Sequence, residues 1–92
     1  MKWASIVTNL TGVIVKKYMV IEKFKPGLME KAYDLFHRDG RKLPEGLFYL
    51  NSWVNSEHNI CFQLMETNDE HLFQEWFKRW EKYVDFELYP ID

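Results

Sequence analysis

Leu47-Phe48-Tyr49-Leu50-Asn51-Ser52-Trp53-Val54, then Asn55-Ser56-Glu57-His58, then Asn59-Ile60-Cys61-Phe62-Gln63-Leu64-Met65-Glu66 is the stretch on which the fold turns. Two β-rich runs flank a cluster of turn residues, which is the pattern of a hairpin. If the hairpin closes around Ser56-Glu57, then Tyr49, Asn51 and Trp53 share a face with Ile60, Phe62 and Leu64. Phe48, Leu50, Ser52 and Val54 then lie on the other face with Cys61, Gln63 and Met65. Both faces are apolar. A sheet wetted on one side would alternate cleanly, so this one is expected to be covered on both.

Upstream, Tyr18-Met19-Val20-Ile21-Glu22-Lys23-Phe24 reads as a central strand, broken by Pro26-Gly27. Leu28, Met29, Ala32, Tyr33 and Phe36 then recur at helical spacing. Pro26 suits the start of that helix and Gly40 its end. Residues 40–46 form a loop by composition. Downstream, Thr67-Asn68-Asp69-Glu70 has the spacing of a capping box. Behind it, Leu72, Phe73, Trp76, Phe77, Trp80 and Tyr83 make an apolar stripe, with Gln74, Glu75, Lys78, Arg79 and Lys82 on the wet side. A last strand spans residues 85–91. The order β-α-β-β-α-β predicts an α+β, ferredoxin-like fold: a four-stranded antiparallel sheet with two helices on one face. The uncovered face then needs a partner, and a homodimer is the commonest solution.

Residues 1–16 have few charges and one short β-branched run, Val13-Ile14-Val15. They read as an N-terminal extension, poorly ordered, ahead of a single domain at 17–92; the alternative is a strand added to the sheet edge. Thr8, Asn9, Thr11 and Gly12 interrupt any signal-peptide core, and no stretch is long enough to span a bilayer. A single cysteine, Cys61, allows no intrachain disulfide and fits a reducing compartment, so the expected location is cytoplasmic. Ninety-two residues with 47% apolar and 28% charged side chains suit one globular domain. With a net charge of −2 and a pI near 5.9 the chain has no global basic field, so neither nucleic acid nor membrane is an expected partner. Aromatics reach 17%, more than a minimal core needs, and the surplus points to a second apolar surface for a subunit or a ligand.

Among residue types that carry chemistry, His37, His58, His71 and Cys61 show no ligand-type spacing, so no metal is expected. A lone strand cysteine is usually a small buried hydrophobe, and the isolated glycines open no phosphate loop. Trp76 and Trp80 read as core. Trp53 differs, because it stands beside Asn51 and Ser52; with Tyr49, Gln63, Glu22 and Glu66 it is a candidate lining for a mostly apolar ligand pocket. The plainer alternative is that these residues pack the sheet or a dimer seam. Arg41, in the loop after the first helix, either caps that helix or reaches over a pocket mouth to hold an acidic ligand.

Residues 19–27, Gly40-Arg41, Leu43-Pro44-Glu45-Gly46-Leu47, Ser52-Trp53-Val54 and Cys61-Phe62-Gln63-Leu64-Met65-Glu66-Thr67 together resemble a bacterial family known as domain of unknown function 3303. The resemblance covers about residues 17–91. Members typically begin close to Lys17-Tyr18-Met19, which sets residues 1–16 apart and suggests a later start of translation. The resemblance implies the ferredoxin-like fold of the dimeric α/β barrels and no particular activity. That fold serves cofactor-independent monooxygenases, lactone isomerases, haem degraders and plain ligand binders. Its haem degraders combine an Asn, a Trp and a haem-ligating His; Asn51, Trp53 and His71 do not fall in that order, and no cofactor is expected.

The leading expectation is therefore a small homodimer that binds an apolar or aromatic molecule between sheet and partner. The alternatives are a cofactor-independent monooxygenase- or isomerase-like enzyme and a purely structural dimerisation module. No catalytic residue is assigned.

Overall fold

The computed structural model describes residues 6–8 and 14–92, and side chains from residue 15 onward. The elements are β1 (Ile6–Thr8), β2 (Ile14–Phe24), α1 (Met29–Asp39), β3 (Leu47–Asn55), β4 (Ile60–Thr67), α2 (His71–Trp80) and β5 (Val84–Ile91). They form one antiparallel sheet in which β2 and β4 are central and β3 and β5 flank them. From β2 onward this is the ferredoxin-like β-α-β-β-α-β order read from the sequence. Short β1 pairs with residues 14–16 of β2, and β5 pairs with residues 17–24. Because β4 holds the other edge of β2, β1 and β5 follow one another along the same edge. So β2 starts at Ile14, inside the stretch read as an extension, and Ile6–Thr8 pair with it at the sheet edge. The expectation for residues 1–5 and 9–13 lies outside the described residues.

Strand parity decides what the helices cover. Tyr18, Val20 and Glu22 of β2 and Cys61, Gln63, Met65 and Thr67 of β4 are buried, while the residues between them are not. The buried set packs against Ala32 of α1 and Phe73, Trp76 and Trp80 of α2. Phe77 stacks on Phe86 of β5 with ring centres 4.2 Å apart, which seals α2 to the sheet.

Three local readings change. Helix α1 begins at Met29, because Gly27 takes φ 75° and the Leu28 N–H closes a turn onto Lys25 O at 3.0 Å; Pro26 belongs to that turn. The capping box does not form. Thr67 instead donates to Gly46 O at 2.7 Å and accepts from the Asp69 N–H, and the Asp69 carboxylate takes the His71 N–H at 3.0 Å. Asp69 thus supplies the N-terminal cap, two residues before His71, the first residue of α2.

The third change matters most for function. The β3–β4 register slips by one residue between Tyr49 and Asn51, which leaves Leu50 as a bulge. A single extra residue inverts side-chain parity on either side of it. Leu47 and Tyr49 therefore face the helices, opposite Thr67 and Met65, and Phe48 faces out. After the bulge Ser52 and Val54 face in, opposite Gln63 and Cys61, whereas Asn51 and Trp53 face out. Uninterrupted alternation had put Tyr49 with Trp53 and Phe48 with Ser52. The bulge separates both pairs.

Candidate functional site

Glu22 stands in the middle of the helix-facing side of the sheet, between Cys61 of β4 and Phe86 of β5. Gln63 lies one inward position along β4, opposite Val20 and Ser52. Arg41 arrives from the loop after α1, and its Nε donates to Gln63 Oε1 over 3.1 Å. With its oxygen so engaged, Gln63 keeps its NH2 group as its other polar end, on the same buried side of the sheet as Glu22. A neutral amide thus holds the guanidinium on the side of the sheet where the carboxylate lies.

The loop that delivers Arg41 is held at several points. The Arg41 carbonyl accepts the indole N–H of both Trp76 and Trp80, at 2.8 Å each. The next residue, Lys42, has φ 60°, an unfavourable conformation for a side chain of that size, and its carbonyl accepts from Arg79 Nη1 at 2.6 Å. The guanidinium carbon lies 3.5 Å from the ring centre of Tyr49 and 5.1 Å from that of Phe36. The Tyr49 hydroxyl is itself fixed by a 2.7 Å hydrogen bond with Ser52 Oγ.

With Tyr49 behind Arg41 and outside the lining, Glu22, Arg41 and Gln63 border a cavity of about 190 Å³ between the sheet and the helices. Its apolar wall comes from Phe24, Ala32, Phe36, Val54, Trp76 and Trp80, and its polar groups include Glu22, Arg41, Gln63 and Ser52. Glu22 is only 7% exposed, and burial holds its carboxyl above the ordinary value of 4.5. Hydrogen bonds from Gln63 and Cys61 and the charge of Arg41 oppose that rise without cancelling it. Burial, followed by the charge of Glu22 and a hydrogen bond to it, pushes the Cys61 thiol up to about 12. Cys61 therefore stays protonated near neutrality and is no nucleophile. Tyr33, on the α1 side, is raised by burial first and then by Cys61 and Glu22.

Four of the six residues singled out in the sequence, Glu22, Gln63, Arg41 and Tyr49, come together here. Trp53 and Glu66 do not. Trp53 lies on the outer face opposite Phe62, and Glu66 lies opposite Phe48 with its carboxylate 3.8 Å from Lys17 Nζ. The cavity sits between sheet and helices, not on the outer sheet face, because Glu22 and Gln63 share the parity of Val20 and Met65. Trp76 and Trp80 are core, as read, yet they also anchor Arg41. Their sequence signal was the indole itself, which needs an acceptor once buried, and two of them one helical turn apart can share one.

The remaining candidates stand apart from this cluster. His37 is exposed; His58 lies 3.8 Å from Glu57, and His71 lies 3.4 Å from Asp69. Among the described residues, no three His, Cys, Asp or Glu side chains are grouped to hold a metal ion, and no helix is long and apolar enough to cross a membrane. A comparison with proteins of curated function finds no match. The family model described as Domain of unknown function (DUF3303) matches residues 16–91, and the chain belongs to that family.

Proposed function

We propose that this chain is a homodimer whose protomers each bind a small apolar or aromatic molecule, about one ring in size, in the cavity between sheet and helices. The observation that carries the reading is the cavity itself: about 190 Å³, mostly apolar, lined by Glu22 and by the hydrogen-bonded pair of Gln63 and Arg41. An apolar protein cavity of roughly 150 Å³ admits benzene, so this one has room for a ring with one or two small substituents. A mostly apolar enclosure with a few convergent polar groups is the usual composition of a ligand site.

The dimer rests on the outer sheet face. Met19, Ile21, Phe62 and Leu64 run across its centre, with Phe48, Trp53 and Tyr89 half exposed around them. The charges at its ends are already paired within the chain, Lys17 with Glu66 at 3.8 Å and Lys23 with Glu87 at 2.7 Å. Such a face presents apolar area without an unbalanced charge to repel a second copy.

Native mass spectrometry on protein purified from its own host tests both parts. A dimer carrying a reproducible small adduct is expected. A monomer would remove the dimer. A clean dimer whose tryptophan emission ignores every ring-sized probe would leave a purely structural module.

One observation favours a second reading, cofactor-independent catalysis of the isomerase or monooxygenase type. Glu22 is a buried carboxylate with raised proton affinity beside a guanidinium, a combination suited to moving a proton from a bound molecule. On that reading Glu22→Gln abolishes turnover and leaves binding nearly unchanged. Equal loss of both would count against it.

A further inference from the structure

The polar wall of the cavity has a direction. At one end is the Arg41 guanidinium, whose Nε is used by Gln63 and which has no carboxylate within ion-pair distance among the described residues. A guanidinium carries five N–H donors, so donors remain for a ligand. At the other end is Glu22, an acceptor when ionised, with room for about four hydrogen bonds, and Gln63 and Cys61 line the cavity beside it. Arg41 and Glu22 form no direct ion pair, and the Nε bond of Arg41 goes to Gln63 instead. The aromatic rings of Tyr49 and Phe36 hold the guanidinium from the side, so its position does not depend on a ligand.

We propose that the cavity selects a neutral, ring-sized molecule with a hydrogen-bond acceptor at one end and a hydroxyl at the other: a hydroxylated aryl carbonyl compound whose carbonyl oxygen faces Arg41 and whose hydroxyl donates to Glu22. This rests on the cavity being a ligand site, as proposed above. Charge balance supports the neutral ligand. With Glu22 ionised, Arg41 and Glu22 together sum to zero, so a net anion would bring an uncompensated charge against Glu22, and a net cation would do the same against Arg41. A dipolar neutral molecule satisfies both ends and leaves no buried charge unpaired. The apolar wall of Phe36, Val54, Trp76 and Trp80 then takes the ring.

The test is a titration of the intact protein, followed by tryptophan emission and calorimetry, with benzaldehyde, phenol, the three hydroxybenzaldehyde isomers and 4-hydroxybenzoate. At least one hydroxybenzaldehyde is expected to bind tenfold or more tightly than both benzaldehyde and phenol, because each of those leaves one built-in polar group unmatched. Glu22→Leu should erase the advantage over benzaldehyde, and Arg41→Met the advantage over phenol. Equal binding of all neutral rings would overturn the inference and keep the ligand site. Tightest binding of 4-hydroxybenzoate would overturn it in favour of an anion site at Arg41. If no probe binds, the ligand-site reading falls and this inference with it. The comparison among probes is made on the unaltered protein, so it holds even if a variant fails to fold.

Discussion

Trp76 and Trp80 donate their indole N–H groups to one and the same oxygen, the carbonyl of Arg41, each over 2.8 Å. A core helix thereby sets the position of a loop residue whose side chain reaches the cavity. The two donors back each other up. Replacing either tryptophan by Phe leaves the carbonyl one partner and should cost about 1 kcal/mol for the hydrogen bond, besides the volume lost. Replacing both removes the last donor, so the double variant should lose more than the sum of the singles, by roughly 1 kcal/mol. Urea unfolding of the four proteins measures this, and strict additivity would mean that water replaces the indoles.

Glu22 gives a pH signature with a definite sign. Its carboxyl in the folded chain binds a proton more tightly than the ordinary value of 4.5, chiefly through burial. Its contribution to stability is therefore whole below 4.5 and is lost as pH rises through the higher folded value, since the unfolded chain ionises first. Glu22→Gln should flatten this part of the stability curve and raise stability relative to the parent at neutral pH. Denaturation midpoints from pH 4 to pH 8 decide it; parallel curves for the two proteins would show that Glu22 ionises as easily folded as unfolded.

Cys61 should be nearly inert while the chain is folded. With its thiol pushed up to about 12, the thiolate fraction near pH 8 is about a thousandfold below that of an ordinary cysteine. Reaction with an aromatic disulfide reagent should be correspondingly slow in buffer and rapid in denaturant. Fast labelling of the native protein would contradict the burial seen here.

Gly46 and Gly27 both have positive φ, at 96° and 75°, but their surroundings differ. A Cβ at Gly46 would lie 3.0 Å from Leu72 Cδ1, whereas one at Gly27 would meet open space. Gly27→Ala should therefore cost about 1 kcal/mol for backbone strain alone, and Gly46→Ala about 2 kcal/mol or more. The order of the two melting temperatures is the observable.

Trp53 is 49% exposed in the single chain, on the face proposed to meet a second copy. Trp53→Glu should leave the circular dichroism spectrum intact and shift the protein from dimer to monomer in sedimentation. It should not weaken binding in the cavity, which lies on the other side of the sheet. An unchanged dimer would place the contact elsewhere.

Much of the fold was legible because periodicity reports directly on burial. The stripe from Leu72 to Tyr83 and the presence of a hairpin each follow from spacing and turn chemistry alone, although the turn spans residues 56–59 and pairs Asn55 with Ile60 instead of closing around Ser56-Glu57; the order of elements then leaves the ferredoxin-like arrangement. Periodicity failed at Leu50, where nothing in Tyr49-Leu50-Asn51 announces an extra residue, and the error carried Tyr49 to the wrong face. It failed again at Thr67, whose hydroxyl found the Gly46 carbonyl, a partner 21 residues away that no local motif names.

The amino-acid sequence by itself determined the element types, their order, the family and the residues able to carry polarity in an apolar setting, because these depend on composition and on spacing within one element. Only the tertiary structure decided that Glu22, Gln63 and Arg41 line one cavity with Arg41 hydrogen-bonded to Gln63, and that the cavity lies under the helices while Trp53 and Glu66 face away. The reason is physical: strand parity, a single bulge and the long-range hold of two indoles on one carbonyl are set by pairing between distant segments. Such pairing leaves no trace in the spacing of neighbours along the chain.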